Sequence, residues 1–387
     1  LSSTNVILGI LALSSVLLTL WQWIAARRFP LHRRITDKSF APALSLLKPL
    51  KGCDETTEES LRSWFKQDYA GEVQILFGVA RVDDPVCEIV QKLIAENPRH
   101  DAQLVICGDM LGANAKVAKL IQLEEMAERE LILISDADVR VPPDFLTNLV
   151  APLRDKKVGL VNCFYRLANP ATTAMQWEAI AINADFWSQV LQSQTLKPLD
   201  FALGAVILMR RKALAQIGGF KVVVNCLADD YQLGHRMTEK GHHVALCAVI
   251  AECWDAPMDW RAVWNHQLRW ARTIRACEPA PYFFSILANA TFWPLLWLLA
   301  SMLSSKNIFV PLVALGFLAV RIIIAQNLQR RFTQSRAVAE WWLVPLKDLI
   351  QVALWAGAFS GNTIEWRGRQ MRMCRAGNLI PIEDGGR

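Results

Sequence analysis

The nine cysteines of this 387-residue sequence are odd in number and contain no C-x-x-C pair. A disulfide scaffold and a structural zinc site are both poor readings of such a set, and reduced thiols facing the cytosol fit better. No Lys/Arg-rich run with interleaved aromatics lies inside a folded module, and the net charge of +6 is mild, so nucleic acid is not an expected partner. No internal repeat or low-complexity tract is visible. What the chain has instead is grease. Hydrophobic residues make up 53%, too many for an ordinary soluble enzyme. The basic residues flank apolar segments, which points to a membrane surface. Of fifteen Trp, ten lie from Trp254 onward, where interfacial anchoring would use them.

Asn5–Ala26, "NVILGILALSSVLLTLWQWIAA", has no charged residue and is long enough to span a bilayer at about 1.5 Å per residue. Arg27, Arg28, Arg33 and Arg34 follow it, whereas a cleaved signal peptide puts basic residues before a shorter apolar core. A signal-anchor over residues 1–30 is expected, with the chain beyond it cytoplasmic by the positive-inside rule. After Ala280 the chain is apolar again, and the segments from Tyr282 and from Ile308 are spanning candidates. Trp341–Phe359 is harder to place. It carries Lys347 and Asp348, costly at a bilayer centre unless paired or facing a cavity. A further crossing would also put Arg367, Arg369, Arg372 and Arg375 outside, against the positive-inside bias. The expected solution is a segment that dips in and returns at Pro345, or lies at the interface; an ordinary span with Lys347 and Asp348 paired is the alternative.

From about Ala43 to Ala251 the composition turns soluble and strand-like runs alternate with helical ones. "ALSLLKPL", "VQILFGV", "AQLVICG", "LILISD" and "VGLVNCF" read as strands. Between them lie "TTEESLRSWFKQ", opened by a Thr56/Glu59 capping box, then "PVCEIVQKLIAE" and "NAKVAKLIQLEEMA". This alternation predicts an α/β fold on a mostly parallel sheet with helices on both faces, and ligands bind such sheets beyond the carboxyl ends of the strands. The expected layout is a membrane anchor at 1–30, a cytoplasmic α/β domain at 43–255, an interfacial amphipathic segment at 256–281, membrane segments at 282–361 and a basic cytoplasmic tail at 362–387.

The chemistry gathers at strand ends. Asp136 and Asp138 follow "LILIS" as a D-x-D, and carboxylates at i and i+2 point to one face, where they can converge on one divalent cation. Hard Mg2+ or Mn2+ takes carboxylate, water and phosphate oxygens, so the pair suits a nucleotide-diphosphate leaving group. The plainer reading is that Asp138 caps a turn and Asp136 is solvated. Asp83 and Asp84 follow the second strand, where turn initiation before Pro85 also accounts for them. Asp229 and Asp230 stand at a helix start, where N-capping is the alternative. "VWNHQLRWARTIRA" joins His266, Arg269 and Trp270 to Arg272 and Arg275; it also reads as an interfacial helix with Trp260, Trp264, Trp270 and Ile274 toward lipid.

The order of these signals resembles the processive-type inverting glycosyltransferases of the GT-A (Rossmann-like) fold. More narrowly the chain resembles the ceramide glucosyltransferase family, glycosyltransferase family 21. The resemblance is carried by "LLKPLKG", "DDP" at Asp83–Pro85, "G-x-N-x-K" at Gly112–Lys116, "VGLV" at Val158–Val161 and a "WRGR" tail at 366–369. It implies that Asp84 reads the uracil or ribose, and that Asp136 and Asp138 hold the nucleotide sugar and its Mg2+ or Mn2+. It implies Asp230 as the base, Lys116 as a charge-neutralising donor contact, and Arg269 and Trp270 as residues that hold the diphosphate and border the acceptor. His266 stands where the family has Gln or Arg. That departure, with Asp138 and "LRWARTIR", leans toward a bacterial branch that includes hopanoid glycosyltransferases, and so toward a bacterial inner membrane. The implied reaction moves a hexose from a UDP-sugar, UDP-glucose for preference, to the hydroxyl of a membrane lipid such as ceramide or a hopanoid. A hopanoid N-acetylglucosaminyltransferase, a polysaccharide-forming synthase and a catalytically dead membrane scaffold are the rival readings.

Overall fold

In the computed structural model, described over residues 3–304, 309–335, 339–366, 369–374 and 377–381, eight strands form one sheet. They are β1 (Leu44–Pro49), β2 (Val73–Val79), β3 (Asp101–Ile106), β4 (Leu131–Ser135), β5 (Val139–Arg140), β6 (Val158–Leu167), β7 (Val206–Arg210) and β8 (His243–Cys253). Their order is β3-β2-β1-β4-β7-β6-β8-β5. The first four pair in parallel, as expected of the apolar runs β1, β2 and β4, which are buried on both faces, with β3 as a half-exposed edge strand. Beyond β4 the sheet is mixed: β7 runs antiparallel to β4 and β6, β6 and β8 are parallel, and β5 is antiparallel to β8. The expected mostly parallel sheet thus holds for one half.

The chain divides into two compact units. One, the α/β unit, comprises Pro30–Asn169, Lys197–Ala256 and Glu365–Arg387. Its core is the sheet filled with Val, Ile, Leu and Phe, and Leu44, Leu47, Ile75, Phe77, Ile132 and Leu133 are fully enclosed. The Thr56/Glu59 capping box does not form. Thr56 has a helical backbone and no capping bond, and Asp54 Oδ1 gathers the Thr56 N–H and the Thr56 and Thr57 hydroxyls instead.

The other unit is helical: Leu1–Phe29, Pro170–Leu196 and Pro257–Ile364. Among the described residues two helices are long and apolar enough to cross a membrane, Ser3–Arg28 and Phe309–Thr333. The protein is an integral membrane protein. The span expected from Tyr282 is broken: Pro279–Ala288 and Phe292–Leu303 meet at 49°. Asn289 makes the break, its side-chain oxygen accepting from the Thr291 and Phe292 N–H groups at 3.3 and 2.9 Å. No break occurs at Pro345. It lies in the first turn of the continuous helix Leu343–Ala358, where a missing N–H costs nothing. Arg336, Arg367 and Arg375, invoked for topology, lie outside the described residues, as does part of the "WRGR" tail.

Candidate active site

The D-x-D sits where β4 leaves the sheet, and its backbone is fixed on both sides. The Asp136 N–H donates to the Ala205 carbonyl at 3.0 Å, and the Asp138 carbonyl accepts from the Trp254 N–H at 3.0 Å. Ala205 is held at φ +76°, a left-handed conformation that a non-glycine residue seldom adopts. Beneath the turn lies Lys48 of β1, wholly enclosed. Its ammonium donates to Ser135 Oγ at 3.1 Å and to the Asp136 carbonyl at 2.6 Å, and stands 5.1 Å from the Trp64 ring. Burial pushes Lys48 down to about 7, against the pull of Asp138 and Asp136.

The "G-x-N-x-K" stretch delivers a second cation. Gly112 packs so closely on Val224 that a Cβ would meet it at 2.7 Å. Asn114 caps the helix Ala115–Met126 by accepting from the Lys116 and Val117 N–H groups, while its amide donates to the Cys226 carbonyl and to Asp229. Lys116 then reaches Asp136 Oδ1 at 2.7 Å and Asp229 Oδ2 at 3.8 Å. Burial alone would lower its pKa; Asp136 and Asp229 reverse the effect and keep it charged.

Four acids share this neighbourhood closely enough to act on each other's charge. Burial, then Asp136 and Asp255, lift Asp138 to about 7. Burial, then Asp229, lift Asp230 to about 6, against Lys116 and two backbone bonds. Those bonds come from the Gly204 N–H to Oδ2 at 2.6 Å and the Tyr231 N–H to Oδ1 at 2.7 Å. Asp229 is raised too, chiefly by burial. Asp84 is differently employed. Its carboxylate accepts from the Gly52 N–H at 3.0 and 3.1 Å and from the Val86 N–H at 3.1 Å, so it also builds the turn after β2.

Lys116, Asp136, Asp138 and Asp230 are therefore brought together. Lys48 and Asp229 join them; Asp229 was read from the sequence only as one of an acidic pair at a helix start, and Lys48 was not singled out. A lysine inside an apolar run of strand character was the available signal for Lys48. Asp136 and Asp138 fit a divalent cation chemically, because a cation offsets the burial and the neighbouring negative charge that lift Asp138. Among the described residues no three His, Cys, Asp or Glu side chains are grouped as a metal site. Two carboxylates suffice where substrate phosphates supply the remaining oxygens.

In the helical unit the helix Trp260–Cys277 starts at Asp259, which caps it by accepting from the Ala262 N–H at 2.8 Å. His266 Nδ1 pairs with Glu178 Oε1 at 2.7 Å, and Gln267 donates to the same oxygen at 2.8 Å. Glu178 is buried, and a carboxylate opposite Nδ1 holds the imidazole proton there, leaving Nε2 as the outward nitrogen. The Trp270 ring lies edge-to-face with His266 at 4.9 Å and tilted on Phe186 at 6.0 Å. Trp260, Trp264 and Ile274 are exposed, as an interfacial helix requires; Trp270 is half-buried.

The family described as glycosyl transferase family 21 matches residues 7–379. The chain belongs to that family. As a family 21 member it is a glycosyltransferase. Ceramide glucosyltransferase 3 of Caenorhabditis elegans is 22% identical over 368 residues, 92% of this chain and 78% of that protein. Ceramide glucosyltransferase 1 of the same organism is 24% identical, across 65% of this chain and 54% of that protein. Among solved structures, a mannosyltransferase from Pyrobaculum calidifontis in complex with GDP-Man and Mn2+ is 19% identical with a TM-score of 0.53, covering 90% of this chain and 98% of that one. The likeness is one of fold.

Proposed function

We propose that this family 21 glycosyltransferase is a GT-A enzyme that transfers a hexose, glucose for preference, from a UDP-sugar to the hydroxyl of a membrane lipid, with inversion. The observation that carries the reading is the convergence of Asp136, Asp138, Asp230 and Lys116 at the strand ends of the α/β unit, in a chain with membrane-length helices. A lipid hydroxyl is a poor nucleophile at neutral pH and needs a base within hydrogen-bond reach. Asp230, raised to about 6 and held by two backbone N–H groups, has the affinity for that role. Its carboxylate takes the hydroxyl proton as the oxygen bonds to the anomeric carbon and the bond from that carbon to the phosphate oxygen breaks. Charge developing on the departing diphosphate is met by Lys116, with Arg269 and Nε2 of His266 assigned to the same group. A Mg2+ or Mn2+ held by Asp136 and Asp138 supplies further charge neutralisation when bound. Asp84 is assigned to the uridine and Trp270 to the border of the acceptor.

The ceramide glucosyltransferases among its relatives favour ceramide as acceptor. A hopanoid acceptor with N-acetylglucosamine as donor sugar is the second reading, resting on His266 and "LRWARTIR". The arginines after the first apolar helix support an α/β unit on the cytoplasmic side of a plasma membrane, and His266, Asp138 and "LRWARTIR" support a bacterial one. Purified protein given UDP-glucose or UDP-N-acetylglucosamine with ceramide, diacylglycerol or a hopanoid alcohol, followed by chromatography of the lipids, tests the proposal. A glycosylated lipid of inverted configuration is expected. Transfer to soluble sugar chains and to none of the lipids would replace it with the polymerising reading.

A further inference from the structure

The helical unit holds four charged side chains that the chemistry above leaves unused. Arg321, in the middle of the helix Phe309–Thr333, is clamped between two carboxylates. Its Nη1 and Nη2 donate to Asp185 Oδ1 and Oδ2 at 3.1 and 2.8 Å, and its Nε and Nη2 donate to Asp348 Oδ2 and Oδ1, both at 2.8 Å. Lys347 donates to Asp185 and, at 3.2 Å, to Asp348, which also accepts from Thr291 Oγ1 at 2.6 Å. All four charged side chains are at most 8% exposed. Two cations face two anions, so the cluster is neutral.

Burying such a set costs more than filling the same volume with apolar side chains, and ionisable residues inside membrane segments mark functional sites more often than scaffolding. Here the cluster lines a cavity of about 290 Å³. Asp185 belongs to the π-helical stretch Ala181–Phe186, a wide-turn geometry that recurs at functional sites. Trp270 and Gln267, from the helix that carries His266, line the same cavity, with Ile182, Tyr282 and Trp355 supplying apolar wall. Gln351 lines it too; the side chain is half-buried and makes no hydrogen bond among the described residues.

We propose that this cavity seats the uncharged polar headgroup of the lipid acceptor, with Gln351 as its hydrogen-bond partner. The Arg321–Asp185–Lys347–Asp348 cluster acts as the element that refuses charged headgroups. The assignment rests on the lipid-acceptor reading above. A hydroxyl or amide enters without disturbing the cluster. A phosphate would bring unbalanced negative charge beside two carboxylates and could be matched only by breaking an existing ion pair. The volume lies at the small end of the roughly 300–1,000 Å³ typical of ligand pockets, which suits a headgroup and not its chains.

The test is equilibrium binding of fluorescent short-chain ceramide and of its 1-phosphate to the full chain in neutral-detergent micelles. Ceramide should bind at least about tenfold more tightly than its phosphate. Gln351→Leu, which removes the partner, and Ala288→Phe, which fills the cavity, should each weaken ceramide by about tenfold, the effect of one lost buried hydrogen bond. Acceptor-independent UDP-glucose hydrolysis should change in neither by more than about twofold, because neither residue belongs to the donor machinery. Equal affinity for the two lipids, or unchanged ceramide affinity in both variants with hydrolysis intact, overturns the assignment. Absence of all UDP-sugar hydrolysis in the wild type would instead remove the donor reading, and the binding contrast would still decide the cavity.

Discussion

If Asp230 is the base, its protonation should set the acid limb of turnover, and the structure fixes where that limb falls. With a value of about 6, about one molecule in eleven carries the carboxylate at pH 5 and about ten in eleven at pH 7. With donor and acceptor well below saturation, kcat/KM, which reports the ligand-free enzyme, should therefore rise about tenfold between those pH values. A carboxylate at the ordinary 3.8 would change kcat/KM by only about 6% over the same range. Stability runs the other way. Because the folded-state value is raised, the contribution of Asp230 to folding is complete below pH 3.8 and is lost as the pH rises through about 6. Asp230→Asn should lower kcat by about 100-fold or more and abolish the limb, leaving donor binding near normal. Since both carboxylate oxygens accept backbone N–H groups, the amide must turn its NH2 toward one of them, at about 1–3 kcal/mol of stability. Stopped assays of glycolipid formation from pH 5 to 8, with a thermal melt of each variant, provide the measurement. A flat profile, or Asp230→Asn turning over within about twofold of wild type, would remove Asp230 from the role.

Asp136→Ala and Asp138→Ala should weaken donor binding together with the response to Mg2+ or Mn2+; equal activity in excess EDTA and in added metal would show that the acids serve some other end. His266→Gln should be tolerated and His266→Leu should not, because only the former keeps a donor toward Glu178; equal kcat in the two variants would reduce the position to packing. Arg321→Met should cost about 3–5 kcal/mol, as removing one partner leaves buried carboxylates short of charge, and an unchanged melting temperature in detergent would contradict it.

The parallel half of the sheet could be read from the sequence because its strands are mainly apolar runs, each closed by polar turn residues and alternating with helical segments. "VQILFGV" coincides with β2, and "LILIS" with β4. The mixed half was not legible in the same way. "HVALCAVIAEC" of β8 and the five residues of β7 carry no periodicity that separates a strand from a buried helix segment, and register with distant partners decides them. Carboxylates such as Asp136, Asp138 and Asp230 announced themselves by position at element ends. Lys48 was marked only by being a lysine inside a strand-like apolar run; that its ammonium turns under the neighbouring strand's terminal turn depends on the pairing of β1 with β4. Glu178 and Asp185 sit inside ordinary helical text, and their partners lie 88 and 136 residues away. Trp341–Phe359 was read correctly as troubled by Lys347 and Asp348. Lys347 and Asp348 pair with each other, as the alternative reading had it, and Arg321 and Asp185 complete the set, with no break at Pro345.

The buried quartet also bears on how the chain is made. Its members leave the ribosome in the order Asp185, Arg321, then Lys347 and Asp348 together. Once Arg321 has emerged, the carboxylate that neutralises it has already been synthesised, and the last two arrive as a self-cancelling couple. The nascent helices therefore need never shelter a lone cation in lipid while waiting for sequence still to come. Chains ending at residue 342 and joined to the ribosome through a linker long enough to clear its exit tunnel should insert Phe309–Thr333 stably, and Asp185→Asn should make that helix slip back into the translocon; insertion indifferent to Asp185 would break the link.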